Sequence, residues 1–466
     1  MFLVRNAIEE VNGFRFMIDQ LEIQSGLAKR VLYATPYQQI PDEIINELNR
    51  VEQMCLYLRD TQYADILSRI SIKLTRIKDI RGTISRIEEN HNLDDIELFE
   101  LKNFSLLAMD IRLLLETGKI DIIRIPDLEP VIDILDPDKM RIPYFYIYDA
   151  YSTELADLRH EIKKLKQSGK ADEKQVEKLY FRSILLEDEI REKLSGQLRG
   201  LALSVSEALT GIATIDILIA KAKQAIEMHL CKPGIAAHTT SYQGIFNPQI
   251  KKILESEQKA YQPIDIEIGK GACLITGANM AGKSVILKTV ALAQTLFQFG
   301  FFVPAIQAEI ALVDEVLLCI GDEQCELNGL SSFASEMLRI NRIVQDIKAG
   351  KNALILIDEL ARTTNPAEGK AIVNAVLDFL TENEVRSLIT SHYSGIQASC
   401  RKLRVKGFMK EKVKGTLTIH NINEYIDYSL IEDNDTSVPQ EAMRIARILG
   451  VDENLLDRAE IYLHQE

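Results

Sequence analysis

The sequence predicts two architectures in one chain. The first is an all-α lever and core domain carrying a helical hairpin arm. The second is an α/β domain built on a mostly parallel sheet with a phosphate-binding loop. Three observations lead there. Up to about residue 230 apolar residues recur at helical spacing. Gly277-Ala-Asn-Met-Ala-Gly282-Lys283-Ser284 lies between a short apolar run, Ala272 to Ile275, and a helical pattern that starts at Val285. Further on, two more apolar runs end in polar groups, at Asp358-Glu359 and at Ser391-His392.

A chain of 466 residues is too long for one core and implies two or three domains. We draw the boundaries at 1–122 (helical core), 123–230 (connector, helical hairpin arm and the helices after it), 231–425 (phosphate-loop domain) and 426–466 (C-terminal helical segment). Residues 1–122 show several helical faces: Ile44, Leu48, Val51 and Met54; then Ile66, Ile70, Leu74 and Ile77; then Leu101, Phe104, Leu107, Ile111 and Leu115. Pro126, Pro130, Pro137 and Pro143 crowd the connector, since proline ends helices. Leu155, Leu158, Ile162 and Leu165 then form a coiled-coil seam, Ser168-Gly169 a turn, and Val176, Leu186, Ile190 and Leu194 a returning seam. A last helix runs to about residue 228 and is broken at Cys231-Lys-Pro-Gly.

Charge argues against a strong, autonomous grip on nucleic acid. The net charge is −14, with 31 basic against 39 acidic residues before Cys231 and 24 against 30 after it. The arm from Glu154 to Lys193 carries ten of each sign. It reads either as a self-packing arm with a solvated face or as a clamp lacking the expected positive bias. Six scattered cysteines have no metal-ligand spacing; Cys319 and Cys325 lack companions for zinc. Neither a signal-peptide core nor an apolar run of membrane-spanning length is read, so the expectation is a cytoplasmic protein with reduced thiols and no membrane partner.

The glycine loop points to a nucleotide. Gly277 and Gly282 let the backbone curl so that its N–H groups face phosphates, Lys283 reaches the terminal phosphate oxygens, and Ser284 offers a hydroxyl to Mg²⁺. Met280, Ala281 and Val285 belong to the same binding segment. Ala353-Leu-Ile-Leu-Ile357 is a buried strand about 75 residues further on, and strand carboxyl ends line the ligand crevice of such sheets. Asp358 suits Mg²⁺, and Glu359 suits the activation of a water. His392 reads as a γ-phosphate contact or as a structural histidine. Ser331, in Gly329-Leu-Ser-Ser-Phe333, reads as an ordinary helix cap or as an anion site facing a second protomer.

At this point the residues resemble a family. Thr276 to Ser284 is similar to the phosphate loop of the MutS DNA mismatch repair ATPases, with the Asn-Met pair retained. The resemblance continues through Gly300-Phe-Phe-Val-Pro-Ala305, Gly329 to Phe333, Leu356-Ile-Asp-Glu-Leu-Ala-Arg-Thr-Thr-Asn365 and Ser391-His-Tyr393. It implies an ABC-type ATPase that binds ATP and Mg²⁺ and works as a homodimer, or as a heterodimer with a related subunit, sandwiching two nucleotides. By that resemblance Asn279 and Gly282 to Ser284 hold phosphates and metal, Glu359 is the catalytic carboxylate and His392 the switch histidine. Ser331 acts across the dimer, and Tyr261 stands where an aromatic stacks on adenine; its other reading is a strand-edge aromatic.

The match has departures. Ala278 and Ala281 stand where a proline and a glycine are usual, Val285 where threonine is, Ala361 and Thr363 where glycines follow the acidic pair, and Leu330 where a charge is usual. Val438 to Gly450 and the helix after it resemble the family's C-terminal dimerisation pair. Asp149 to Arg159 resembles the start of the arm in the bacterial branch that carries an endonuclease tail. Neither that tail nor the mismatch reader with its Phe-x-Glu wedge is found in these residues, and Phe14-Arg-Phe16 does not supply the wedge. The resemblance thus implies a compact form with lever helices and ATPase domain. Two loads remain open for it: DNA, as in mismatch repair or recombination, or a client protein. Compact relatives are associated with reactivating cobalamin-dependent aminomutases. A regulatory nucleotide switch with little turnover is a third reading.

Overall fold

The computed structural model describes residues 2–168, 173–278, 281–319, 332–409, 422–433, 446–447 and 450–463. The chain separates into two compact units. One comprises residues 22–34 and 50–223, the other residues 1–21, 35–49 and 224–466.

The first unit has no strand among its described residues. Helix Asp95–Gly118 shows why such segments are helical. Asp94 accepts from the backbone N–H of Glu97, and Glu97 returns the bond to Asp94, so two otherwise orphaned donors are satisfied. The expected faces are the buried ones: Ile70 and Leu74 on Ala64–Leu74, and Leu101, Phe104, Leu107 and Ile111 on Asp95–Gly118. Helices Thr153–Ser168 and Glu173–Arg199 pack side by side, with Leu155, Ile162, Leu186 and Ile190 inside. Arg159 bonds Glu187 at 2.9 Å and Arg182 bonds Glu154 at 3.0 Å. The turn expected at Gly169 lies outside the described residues. His91 sits in an exposed loop beside Glu89.

Helix Ala202–Glu227 corrects one expectation. It is long and apolar enough to cross a membrane by length and composition, although most of it is buried inside the protein. Asp216, 1% exposed, accepts from the backbone N–H groups of Gln24 and Ser25 and from the Ser25 hydroxyl, at 2.7–3.0 Å. A buried carboxylate with three donors anchors this helix within a protein core.

The second unit is α/β. Its strands are β1 (Gly234–Ala236), β2 (Thr240–Ile245), β3 (Ile264–Ile268), β4 (Ala272–Thr276), β5 (Gln307–Ala311), β6 (Glu315–Cys319), β7 (Ala353–Ile357), β8 (Ser387–Thr390), β9 (Arg401–Phe408) and β10 (Ile426–Glu432). One sheet has the order β1-β5-β2-β3, the other β10-β9-β4-β8-β7-β6. In the second, β9, β4, β8, β7 and β6 are parallel and β10 is antiparallel to β9. Every residue of β4, β7 and β8 is buried, which is why these strands read as continuous apolar runs.

Two boundaries differ from the sequence reading. Residues 426–432, placed at the head of a helical tail, are a strand of the sheet. The first 21 residues group with the α/β unit, where Phe14 packs on Phe299 at 5.6 Å between ring centroids and Tyr37 on Phe299 at 5.4 Å. The aromatic block after Phe297 thus serves as a docking face for the N-terminal segment. Beyond β10 the described residues include one further helix, Glu453–Leu463.

The helical unit holds a fully buried ion pair. Lys102 Nζ donates to Asp136 at 2.9 Å, to the Tyr144 carbonyl at 3.0 Å and to the Tyr148 hydroxyl at 2.8 Å. Removing one member strands the other charge, so Lys102→Met is expected to lower stability by about 3–5 kcal/mol. Urea unfolding followed by circular dichroism measures it; a loss under about 1 kcal/mol would contradict this account of the pair.

Candidate nucleotide-binding site

Strand β4 lies between β9 and β8, and the chain leaves it into the glycine loop. Gly277 has φ +144° and Gly282 φ +79°, conformations that L side chains rarely adopt. Space is tight as well: a Cβ on Gly277 would stand 3.2 Å from Val405, and one on Gly282 3.1 Å from the Tyr428 ring. Gly282 caps helix Lys283–Gln298. The loop's remaining members, Asn279 and Met280, lie outside the described residues, as does Ser331.

Lys283 is 5% exposed. Its ammonium donates to the carbonyls of Gly277 at 2.8 Å and Ala278 at 3.1 Å, which aims it back across the loop. Burial pushes its pKa down, and Glu359 and Asp358 oppose that shift. Ser284 and Val285 are half-buried in the first helical turn, and Ala281 is buried.

Strand β8 separates β4 from β7 and couples the acidic pair to the rest of the site. The Thr390 hydroxyl donates to Asp358 Oδ1 at 2.6 Å and accepts from the Glu359 N–H at 2.8 Å. The Glu359 carboxylate pairs with Arg362 at 2.9 Å. His392, one step beyond Ser391, has its pKa lowered by burial, with Glu359 acting in the opposite direction. Burial thus favours the neutral form of its imidazole.

A cavity of about 560 Å³ brings residues 281–285 together with Glu359, Arg362 and His392. A larger hollow, about 840 Å³, runs along β6 between Phe2, Tyr37, Leu318 and Arg342. It has no glycine loop and no lysine facing a carboxylate, so size does not choose the site.

Tyr261 is held beside this cavity's helix rather than in its lining. Its hydroxyl accepts from the Asn247 N–H at 3.0 Å, and burial raises its pKa. Residues that sequence reasoning missed are Thr390, Arg362 and Tyr428. Gln262 accepts from the Tyr428 N–H at 3.1 Å and donates to Asp427 at 2.8 Å and Ser429 at 3.1 Å. This latch fixes the segment after Tyr261 to β10 and sets the Tyr428 ring over Gly282. Thr390 and Arg362 stand in or beside recognisable motifs, whereas Tyr428 has no motif to announce it.

The departures from the family pattern separate on backbone grounds. Ala281 and Thr363 have no positive φ, so a side chain is tolerated at both. Ala361 has φ +59° and is fully buried. Of the three, that position alone lies in the left-handed region that glycine favours.

Strand, glycine loop, helix and acidic strand end, arranged on one sheet, define an α/β domain of the ATPase class, and residues 273–465 match the family model described as MutS domain V. The chain carries a MutS-type ATPase domain and belongs to the MutS family. Its relatives include the endonuclease MutS2 of Caldanaerobacter subterraneus subsp. tengcongensis, 30% identical over 318 residues, or 67% of this chain and 36% of that protein. The endonuclease MutS2 of Carboxydothermus hydrogenoformans is 33% identical over 264 residues, 55% of this chain and 31% of the relative. That of Caldicellulosiruptor bescii is 26% identical over 444 residues, covering 89% and 52%. The chain thus spans about a third to a half of the length of the relatives it matches.

Thr390→Val keeps the shape of the side chain but removes the shared hydroxyl, leaving the Glu359 N–H and one Asp358 oxygen without that partner. A loss of about 1–3 kcal/mol is expected, the cost of a buried polar group left unsatisfied, and it is read as a lowered thermal midpoint. A midpoint that does not move would mean the hydroxyl bridges nothing of consequence.

Proposed function

We propose that this chain binds ATP with Mg²⁺ and hydrolyses the γ-phosphate bond, working as one half of a dimer in which two chains enclose two nucleotides. The observation that carries the reading is the convergence on one cavity of the Gly282-Lys283-Ser284 turn with Glu359 and His392. The residues suit the ligand. Gly277 and Gly282 hold positive φ angles that curl the loop, and Lys283 is buried with its ammonium on the carbonyls of Gly277 and Ala278. The Ser284 hydroxyl and Asp358 carboxylate are hard oxygen donors, which suit Mg²⁺ rather than a softer metal. When bound, Mg²⁺ supplies charge neutralisation between the outer phosphates.

In this reading backbone N–H groups of the loop, with Asn279, bind the phosphates and Lys283 stabilises charge on the leaving oxygens. Glu359 takes a proton from the attacking water, and its ion pair with Arg362 at 2.9 Å fixes where the carboxylate stands. His392, at the end of the neighbouring strand, contacts the γ-phosphate. Tyr261 is the candidate for stacking on the base by family resemblance, and Tyr428, whose ring stands beside Gly282, is a second aromatic near the loop. Ser331 of a partner chain completes the γ-phosphate shell.

The load we favour is DNA. The support is family membership, together with the relatives' own name, endonuclease; that name belongs to proteins of which this chain matches only about a third to a half. The helical unit then serves as lever, its hairpin as arm, and the segment after residue 433 as dimerisation element. Two observations favour a client protein instead: the net charge of −14 and the ten-to-ten balance of the arm.

Two measurements test these readings. Lys283→Ala is expected to abolish turnover. Glu359→Gln is expected to retain ATP binding while turnover falls about 10²-fold or more, as for the loss of a general base. Unchanged turnover in the second variant would remove Glu359 from the mechanism. If DNA is the load, duplex or branched DNA stimulates the ATPase, and the stimulation falls steeply between about 50 and 200 mM salt. Absence of DNA binding at the low end sinks that reading and leaves the client protein.

A further inference from the structure

Both Glu359 and Ala361 sit in the left-handed region, at φ +49° and +59°, where neither residue type rests unaided. Three side chains from other elements strap this turn. Thr390, at the end of β8, accepts from the Glu359 N–H at 2.8 Å. Glu336, on helix Ser332–Lys348, accepts from the Ala361 N–H at 2.9 Å. Tyr393 donates its hydroxyl to the Ala361 carbonyl at 2.7 Å. Room for that hydroxyl exists because residue 369 is glycine: a Cβ there would stand 2.1 Å from the Tyr393 oxygen and 3.0 Å from the Ala361 carbonyl. Ala361 is thus gripped at both its N–H and its carbonyl.

Two of the straps come from segments that carry function in the reading above. Tyr393 follows His392 directly, and their rings stand 4.1 Å apart at a tilt of 37°. Glu336 lies on the helix that begins next to Ser331. Neither Glu336 nor Tyr393 lines the cavity of the glycine loop. We propose that Tyr393 and Glu336 are positioning residues for hydrolysis. They hold Ala361 in a conformation it would otherwise leave, and through that turn they aim the Glu359 carboxylate. The inference rests on the ATPase reading and on Glu359 as its base. It also accounts for Gly369, whose missing side chain is what lets the tyrosine reach the turn.

Glycine at position 361 would adopt this φ without strain, so it would need the straps less. The test compares steady-state ATP turnover of the full chain with that of Tyr393→Phe, Ala361→Gly and the double variant, with thermal midpoints measured alongside. Phenylalanine keeps the ring and removes only the donating hydroxyl. Tyr393→Phe is expected to lower kcat at least about fivefold while KM for ATP stays within about twofold. In the Ala361→Gly background the same substitution is expected to change kcat less than about twofold. Glu336→Ala follows the same pattern. Equal losses in both backgrounds, or a rise in KM that accounts for the loss, overturn the proposal, as does an undiminished kcat in Tyr393→Phe. A wild-type chain with no turnover that still melts cooperatively would overturn the ATPase reading, and the proposal with it.

Discussion

The site depends on one hydroxyl at the end of one short strand. Strand β8 lies between the strand that leads into the glycine loop and the strand that leads into the acidic pair, so its last residue faces both. The Thr390 hydroxyl donates a hydrogen bond to the Asp358 carboxylate and accepts one from the Glu359 amide, which ties two neighbouring residues to the end of β8. A buried hydroxyl with donor and acceptor both used is rigid in a way that a surface threonine is not. Strand β8 is buried on both faces and hydrogen-bonded in register to β4 on one side and β7 on the other, so a slip would break both ladders at once. The register therefore sets the distance between the lysine of the loop and the carboxylates.

Much of this is legible in the chain. Continuous apolar runs at 272–275 and 353–357 are what a fully buried parallel strand must look like, and glycines at 277 and 282 bracketing a lysine and a serine fit a phosphate cradle better than a plain turn. Helical faces in the first half are equally plain, and the residues that recur at that spacing are those the core buries. What escapes has a physical reason in each case. Strand β10 has a half-exposed pattern with a register shift between Asp427 and Leu430, so its periodicity is broken. The N-terminal 21 residues read as helix, which they mostly are, but only contacts across almost 300 positions reveal that Phe14 belongs with Phe299. Helix Ala202–Glu227 does not stand out as a span because its polar residues, Asp216 among them, interrupt the run; their partners lie in distant sequence.

The candidate site divides along the same line. Residues whose role depends on local spacing, such as Gly277, Gly282, Lys283 and the acidic pair, stand out without a structure. Those whose role is to hold others do not. Arg362 is one arginine among many until its guanidinium is found on Glu359, and Gln262 is one glutamine until it is found with three partners on β10. Supporting residues carry no signature because any side chain of the right length and polarity could do the work, and the constraint is visible only once the partner is placed.

That distinction decides how the departures from the family pattern should be weighed. By residue type alone, several glycines are missing and the backbone should be uniformly less free. By φ, the losses are unequal. At 281 and 363 the backbone occupies a region open to any residue, so alanine and threonine there remove freedom from the unfolded chain more than from the folded one. At 361 a methyl group is carried in a left-handed turn, next to the carboxylate on which the chemistry would rest. A non-glycine residue in that region stores strain of about 1 kcal/mol or somewhat more, comparable with one hydrogen bond, and here it is opposed by two. A glycine turn could relax and re-form as nucleotide comes and goes. An alanine turn must be held, and what holds it belongs to the helix after Ser331 and to the strand end at His392. The substitution ties the acidic pair more tightly to those two segments than a glycine would, and any slowing of the cycle would follow from that coupling rather than from a stiffer phosphate loop.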